Sequence, residues 1–318
     1  MKISFGSKII EGPWGGGNLF LINLKEYLEA NGHTIVFDLK DKDIDIILFT
    51  DPRKGRGSTS TFGKKEIKKY ISKINKKTRV VQRINECDER KNTKGVNKLY
   101  LSSTEIADSV VFVSNWLQDI YLQLGLDENK STVIMSGSNE LIFNSYGRTE
   151  KPVNKKFKLL THHWSSNYLK GFELYSLIDQ LLETNKWRNK IEFTYLGNVD
   201  KEFTFKNTKI MAPLSGFELA NEIKEHDIYV TGSLNEPSGN HHIEAALCGL
   251  PVLYINSGGV PEYAKNYGVE VTLKNFEERL EYLIEYYGQF EKKMKSYPYN
   301  STAMCEKYEK LFNKVLNQ

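Results

Sequence analysis

Short apolar runs recur along the chain with amphipathic stretches between them, and this alternation constrains the fold more than any other feature. "KISF" (2–5), "TIVFDL" (34–39), "IDIILFT" (44–50), "RVVQRI" (79–84), "SVVFVS" (109–114) and "TVIMSG" (132–137) have the length and residue types of buried strands. Helical spacing falls between them, at about 18–30, 64–76, 98–107 and 115–124. Strands that read as continuous apolar runs are covered on both faces, which is the pattern of a parallel sheet between helices. The polar stretch "YGRTEKPVNKKF" (146–157) has no periodicity and is expected to be a linker. A second series follows: "KLLTHH" (158–163), "IEFTYLG" (191–197), "KIMAPL" (209–214), "DIYVTG" (227–232), "PVLYIN" (251–256) and "GVEVTL" (268–273). Helices are expected near Gly171, from Asn240, and over 275–294 and 302–316, with "SYPYN" (296–300) breaking the last two apart. The 318 residues therefore suit two α/β domains of about 150 residues each.

Composition excludes several classes. The chain is 40% hydrophobic and 26% charged, as in ordinary globular proteins. No run approaches the roughly 18 apolar residues that span a bilayer. The opening "MKISFGSKIIEGPWGGG" has no continuous apolar stretch, so it does not read as a signal peptide. Cys87, Cys248 and Cys305 are odd in number and lack metal spacing, which favours a reducing compartment. A cytoplasmic protein is expected. Net charge is only +4, yet Arg53 to Arg79 holds eleven Lys and Arg against the single acid Glu66.

The chemistry gathers in "LNEPSGNHHIEAALCGLPVL" (234–253). Glu236 follows a strand at its carboxyl end, and Glu244 falls in the first turns of the next helix. Ligands of open α/β sheets bind outside the carboxyl ends of strands, and helix N-termini attract anions. A carboxylate there can accept hydrogen bonds from the two neighbouring hydroxyls of a ribose. By spacing alone, two glutamates eight apart are unremarkable. The surroundings say more. "EPSGNHHIEAALCGLPVL" followed by "SGGVPE" (257–262) resembles the E-x7-E region of family-4-type retaining glycosyltransferases of GT-B fold. "THHWSSNYLKGFELY" (161–175) is similar to the first strand–loop–helix of that family's donor domain. "GPWGGGN" (12–18) resembles its glycine loop at the interdomain cleft, and "VVQRINECD" (80–88) and "SVVFVSNWLQ" (109–118) resemble acceptor-side segments.

The resemblance implies two Rossmann-like domains facing a cleft. Residues 1–148 would take the acceptor and 149–296 the nucleotide-sugar donor, with 297–318 packing back on the first domain. Glu236 would face the sugar being moved, Glu244 the ribose, and the backbone of Ser238, Gly239 and Asn240 the sugar and diphosphate. Lys170 would neutralise the departing diphosphate. Ser165 stands where the family carries an arginine, so either Ser165, Ser166 and Asn167 bond the phosphates instead or a basic residue arrives from elsewhere. Gly15, Gly16 and Gly17 let the backbone approach a ligand closely. Relatives carry an acceptor-side histidine, but no histidine lies between His33 and His162. Arg83, Asn85 and Asp88 are the candidates there, although each taken singly reads better as a structural turn residue.

Adjacent histidines on a helix point about 100° apart, so His241 and His242 do not chelate well, and no metal or other cofactor is expected. "DID" (43–45) reads as strand entry rather than as a metal motif. "GKKEIKKYISKINKKTR" (63–79) places Ile67, Tyr70, Ile71 and Ile74 at helical spacing among lysines. It fits a sheet-packing helix with a solvated outer face, or peripheral contact with an anionic membrane or acceptor. Without an aromatic platform it is a poor nucleic-acid surface. The expected activity is transfer of a hexosyl group from a UDP- or GDP-sugar to a glycan, glycolipid or lipid-linked saccharide. A nucleotide-sugar epimerase, a sugar phosphorylase, or a non-catalytic glycan- or membrane-binding protein remains open on the same architecture.

Overall fold

A computed structural model of the chain describes residues 1–10, 15–53, 58–148, 155–199, 201 and 203–318. It divides into two compact units, Met1–Gly137 with Ser301–Gln318, and Ser138–Asn300.

The first unit is built on a six-stranded parallel sheet of β1 (Lys2–Phe5), β2 (Thr34–Val36), β3 (Ile46–Phe49), β4 (Arg79–Ile84), β5 (Ser109–Phe112) and β6 (Ser131–Val133), in the order β2-β1-β3-β4-β5-β6. Four helices, α1 (Gly16–Ala30), α2 (Lys64–Lys73), α3 (Val96–Ser103) and α4 (Asn115–Gln123), and the carboxyl-terminal helix Ser301–Leu316 cover it. The period-two alternation of strands sorts its core. Ile46, Leu48 and Val81 pack with Phe20, Leu24 and Leu28 of α1 and with Tyr308 and Phe312. Their neighbours Ile47, Phe49 and Val80 point the other way, onto Ile67 and Tyr70 of α2. Asp43 and Asp45 of the "DID" run are spent on Lys2, one on its ammonium and one on its amide, both at 2.7 Å.

Helix α1 starts two residues earlier than its sequence suggests. Asn18 looks like a cap but lies inside the first turn, where its side chain exchanges two 2.9 Å hydrogen bonds with the backbone of Ile10. Gly15, in extended conformation, is the residue before the helix. Gly16 and Gly17 are therefore helical, and Gly12 to Trp14 lie outside the described residues.

The second unit has its own six-stranded parallel sheet: β7 (Phe157–His163), β8 (Ile191–Gly197), β9 (Lys209–Met211), β10 (Ile228–Thr231), β11 (Val252–Ile255) and β12 (Gly268–Val271), ordered β12-β11-β10-β7-β8-β9. Its helices are α5 (Phe172–Leu181), α6 (Asn185–Arg188), α7 (Gly216–Lys224), α8 (Asn240–Leu247), α9 (Val260–Ala264), α10 (Phe276–Glu285) and α11 (Tyr287–Met294). The single helix expected over 275–294 is thus two, divided at Tyr286, whose backbone leaves the helical region with ψ at 17°. Gly288, two residues on in the first turn of α11, is the sequence signal near that break. Of the expected linker 146–157, residues 149–154 lie outside the described residues; the side chain of Arg148 is buried and donates to Glu291 at 2.7 Å and to the Tyr287 hydroxyl at 2.6 Å. Among the described residues no helix is long and apolar enough to cross a membrane. The three cysteines are free and buried.

Strand order fixes where a ligand can sit. From β7 the chain steps outward through β8 and β9, then returns to β10 and steps the other way through β11 and β12. The connections from the carboxyl ends of β7 and β10 therefore run in opposite directions, which makes these neighbouring strand ends the sheet's switch point, where open α/β sheets place their ligand crevice.

Candidate functional site

Two loops meet in that crevice. After β7, residues 164–167 lead to a single 3₁₀ turn, Tyr168–Lys170, which Asn167 caps by accepting the Leu169 amide at 2.9 Å. Gly171 follows at φ +98°, and a Cβ there would overlap the backbone of Gly232, the residue after β10. Only glycine serves both the positive φ and the contact. The Leu234 amide donates to the Leu169 carbonyl at 2.7 Å, so the loops are also hydrogen-bonded together. This joint brings Lys170 to Glu236, and the Lys170 ammonium donates to Glu236 Oε2. Both side chains are largely buried, at 14% and 7% exposure.

The Glu236 loop is held from behind by 257–259. The Gly259 amide donates to the Glu236 carbonyl at 2.9 Å, and the Asn235 amide to Ser257 Oγ at 2.9 Å. A Cβ on Gly258 would stand 2.6 Å from the Glu236 amide nitrogen, so "SGG" is a backbone-on-backbone support. Helix α8 begins at Asn240, after Gly239 at φ +80°. Glu244 sits one turn in, buried, with Oε2 accepting from His162 Nε2 at 2.9 Å.

Four histidines line the floor of the site. His162 and His163 end β7, and His241 and His242 open α8. Each grips one part of the two loops. His162 holds Glu244, and His163 Nε2 pairs with the Tyr175 hydroxyl at 2.6 Å, which accepts the Gly232 amide at 3.1 Å. His241 Nε2 pairs with Thr231 Oγ1 at 3.1 Å, and His242 donates to the Ser238 carbonyl. Burial disfavours their charged forms: it pushes His163 and His241 well below the usual histidine range and His242 down to about 4. The rings of His163 and His241 lie 4.7 Å apart, yet among the described residues no group of three or more potential ligands is arranged to hold a metal ion. Sequence reading weighed these histidines only as metal ligands. Their supporting role depends on β7 and α8 meeting at the switch point, which no local pattern reveals.

Ser165 is half-buried with its Oγ accepting the Asn167 amide at 3.2 Å, which leaves its own hydrogen available. Ser166 is exposed beside it, and so is Trp164, which sequence reading passed over. In the first unit, the Arg83 guanidinium is buried over the Phe20 ring at 4.0 Å. Asp88 accepts from Thr93 Oγ1 and from the amides of Gly95, Val96 and Asn97 at 3.0–3.2 Å, tying down the start of α3. Asn85 lies against the first turn of α1, its Nδ2 3.8 Å from where a Gly17 Cβ would be. On α2, Ile67 and Tyr70 are buried, and Lys64 and Lys68 both pair with Glu105 at 2.6 Å. Lys65, Lys69, Lys73, Lys76 and Lys77 are exposed around Ile74, itself 47% exposed.

Solved structures match this architecture over almost the whole chain. HepE from Anabaena, solved in complex with UDP and glucose, aligns with a TM-score of 0.71 at 15% identity, covering 99% of this chain and 100% of that one. The fold is GT-B. Sucrose-phosphate synthase from Thermosynechococcus elongatus aligns at 0.69 with 14% identity, covering 99% of each chain. A glycosyltransferase from Rickettsia africae aligns at 0.68 with 16% identity, covering 99% of this chain and 98% of that one. Residues 198–301, all but the last of them in the unit that carries the Lys170–Glu236 site, match the family model described as glycosyl transferases group 1. The family match and the GT-B fold together support a glycosyltransferase. No curated protein sequence matches the chain.

Proposed function

We propose that the chain is a metal-independent, retaining glycosyltransferase that moves a hexosyl group from a nucleoside-diphosphate sugar to a hydroxyl of a glycan, glycolipid or lipid-linked saccharide. The observation that carries this reading is the meeting of Lys170 and Glu236 at the switch point, with Glu244 one turn into α8 beside them. An ammonium has three donors, and the bond to Glu236 uses one. Two remain for a diphosphate, whose charge grows as the anomeric C–O bond breaks. The first amides of α8 add positive potential at the same place. Ser165, Ser166 and Asn167 stand on the loop just before Lys170, and their hydroxyl and amide groups take the place of an arginine on the phosphates. Glu236 orients the sugar and Glu244 accepts the ribose hydroxyls. The acceptor hydroxyl attacks the anomeric carbon on the face the diphosphate leaves, and a donor phosphate oxygen takes its proton. Between the two bases considered, uracil is preferred, because the HepE neighbour is solved with UDP.

The test is nucleotide release by the purified chain across UDP- and GDP-sugars, with and without hydroxyl acceptors. Acceptor-dependent release, abolished in K170A, is the expected result. An epimerised donor formed without acceptor, a sugar phosphate formed from inorganic phosphate, or no nucleotide binding would replace this reading. The exposed lysines of α2 around Ile74 suit peripheral contact with an anionic cytoplasmic membrane surface, which attracts such clusters at about 1 kcal/mol per charge. Flotation with phosphatidylglycerol vesicles that is unchanged in K65E/K69E/K73E would exclude that contact.

A further inference from the structure

We infer that His162 is a positioning residue that presents Glu244 to the ribose of the nucleotide, an inference that rests on the donor-site reading above. Glu244 is a buried carboxylate on a helix, with three side-chain torsions to fix before it can serve a ligand. One hydrogen bond fixes it: His162 Nε2 to Oε2 at 2.9 Å, with both side chains at 8% exposure or less. Among the described residues Oε1 makes no hydrogen bond, so one oxygen is anchored while the other stays available as an acceptor.

His162 is itself immobilised. Its amide donates to the Tyr229 hydroxyl at 3.1 Å, and that hydroxyl donates back to its carbonyl at 3.3 Å. The Tyr229 ring meets the imidazole edge-on at 5.4 Å, and His241 meets it at 6.2 Å. Nδ1 is buried with no hydrogen-bond partner among the described residues. A proton there would be an unsatisfied buried donor, so the ring holds its proton on Nε2, facing the carboxylate. The imidazole thus has one function in this packing, which is to donate to Glu244. A strand-end residue needed only for filling would have no reason to be polar.

Glutamine places an amide nitrogen near the position of Nε2, whereas asparagine places one near Nδ1 and cannot reach Glu244. The wild-type chain and the H162Q, H162N, E244A and H162N/E244A variants are titrated calorimetrically with UDP, GDP and their 2′-deoxy counterparts. The wild type should prefer the ribonucleotide by about tenfold or more, since a site built for a hydroxyl rejects the analogue lacking it. H162N should lose most of that preference, H162Q should keep much of it, and H162N should add nothing to E244A. Full preference in folded H162N, or a further loss in the double variant, overturns the inference while leaving the donor site intact. Wild-type binding without ribose preference does the same. Failure of the wild type to bind any of the four nucleotides overturns the donor-site reading, and this inference with it. Ring ¹⁵N NMR of the unaltered chain is a second readout if H162N does not fold. It should show the Nε2–H tautomer with a signal that moves on adding UDP or GDP, and an Nδ1–H tautomer would refute the assignment.

Discussion

The Lys170–Glu236 ion pair makes Glu236→Gln the most informative single change. The substitution keeps size and shape and removes only the charge. It leaves the Lys170 ammonium, 14% exposed, facing a neutral amide. Breaking a buried pair costs about 3–5 kcal/mol, because the remaining charge is uncompensated. The glutamine oxygen still accepts one hydrogen bond and water reaches part of the ammonium, so a net cost of about 2 kcal/mol is expected. For a unit the size of Ser138–Asn300 that corresponds to a fall of about 4–8 °C in Tm. A diphosphate would restore the missing countercharge. Saturating UDP or GDP, at a hundredfold over Kd, stabilises any binder by about 2.7 kcal/mol. At equal concentration the variant should gain more than the wild type, because its Kd is lower. Transfer should nevertheless fall at least about tenfold, the loss expected when an interaction specific to the transition state is removed. Scanning calorimetry with and without nucleotide, paired with turnover, measures all three quantities. An unchanged Tm, or a nucleotide-induced shift no larger than the wild type's, would refute the idea that the carboxylate and the diphosphate both serve as countercharge to Lys170.

Two further outcomes follow from the same region. Burial lowers the folded-state pKa of His163, His241 and His242, the last to about 4, against an unfolded value near 6.5. Their stabilising contribution is therefore complete above the unfolded value and is lost as pH falls from about 6.5 towards 4, at up to about 1.4 kcal/mol per pH unit for each ring. Urea midpoints at pH 7, 6 and 5 should drop progressively, and a flat series would contradict the assignment of three uncharged buried rings. Gly171→Ala combines a φ of +98° with overlap on Gly232, whereas Gly216→Ala has φ +56° and open space around its Cβ. The second should cost about 1–2 kcal/mol and the first at least about 3, measured by urea unfolding, because only the first must also force the Gly171 and Gly232 backbones apart. Equal costs would show that the loop joint is soft.

How much was legible in the sequence depended on whether the determining contact was local. "RVVQRI" and "IEFTYLG" became strands over their full quoted lengths, since a continuous apolar run states its own burial. Strand ends were read too long at "TIVFDL" and "KIMAPL", where pairing stops after three residues while the apolar character continues. Asn18 was misplaced because a good capping residue also makes a good staple to the backbone of a preceding loop, here at Ile10. In the candidate site, Glu236, Glu244 and Lys170 were singled out by the resemblance of the motifs around them to a known family, since strand-end and helix-start positions alone do not separate them from solvated charges. The bond between Lys170 and Glu236 was not, and neither was the grip of His162 on Glu244, which spans 82 positions. Such pairs are set by strand order, and strand order leaves no mark on the residues themselves.

The first unit contains both ends of the chain, and that ordering sets limits on how the molecule can be taken apart. The helix Ser301–Leu316 gives Met304, Tyr308, Phe312 and Val315 to the core beneath α1, so that core is incomplete without it. A product cut off after Gly137 would expose the apolar face of α1, however well its six strands had formed. The stretch Ser138–Asn300, by contrast, is continuous and carries a whole sheet with its own core. In terms of construction it is an insert spliced into a host. It can be excised or exchanged with two cuts, at 137/138 and 300/301, whereas the host must be rejoined from two pieces.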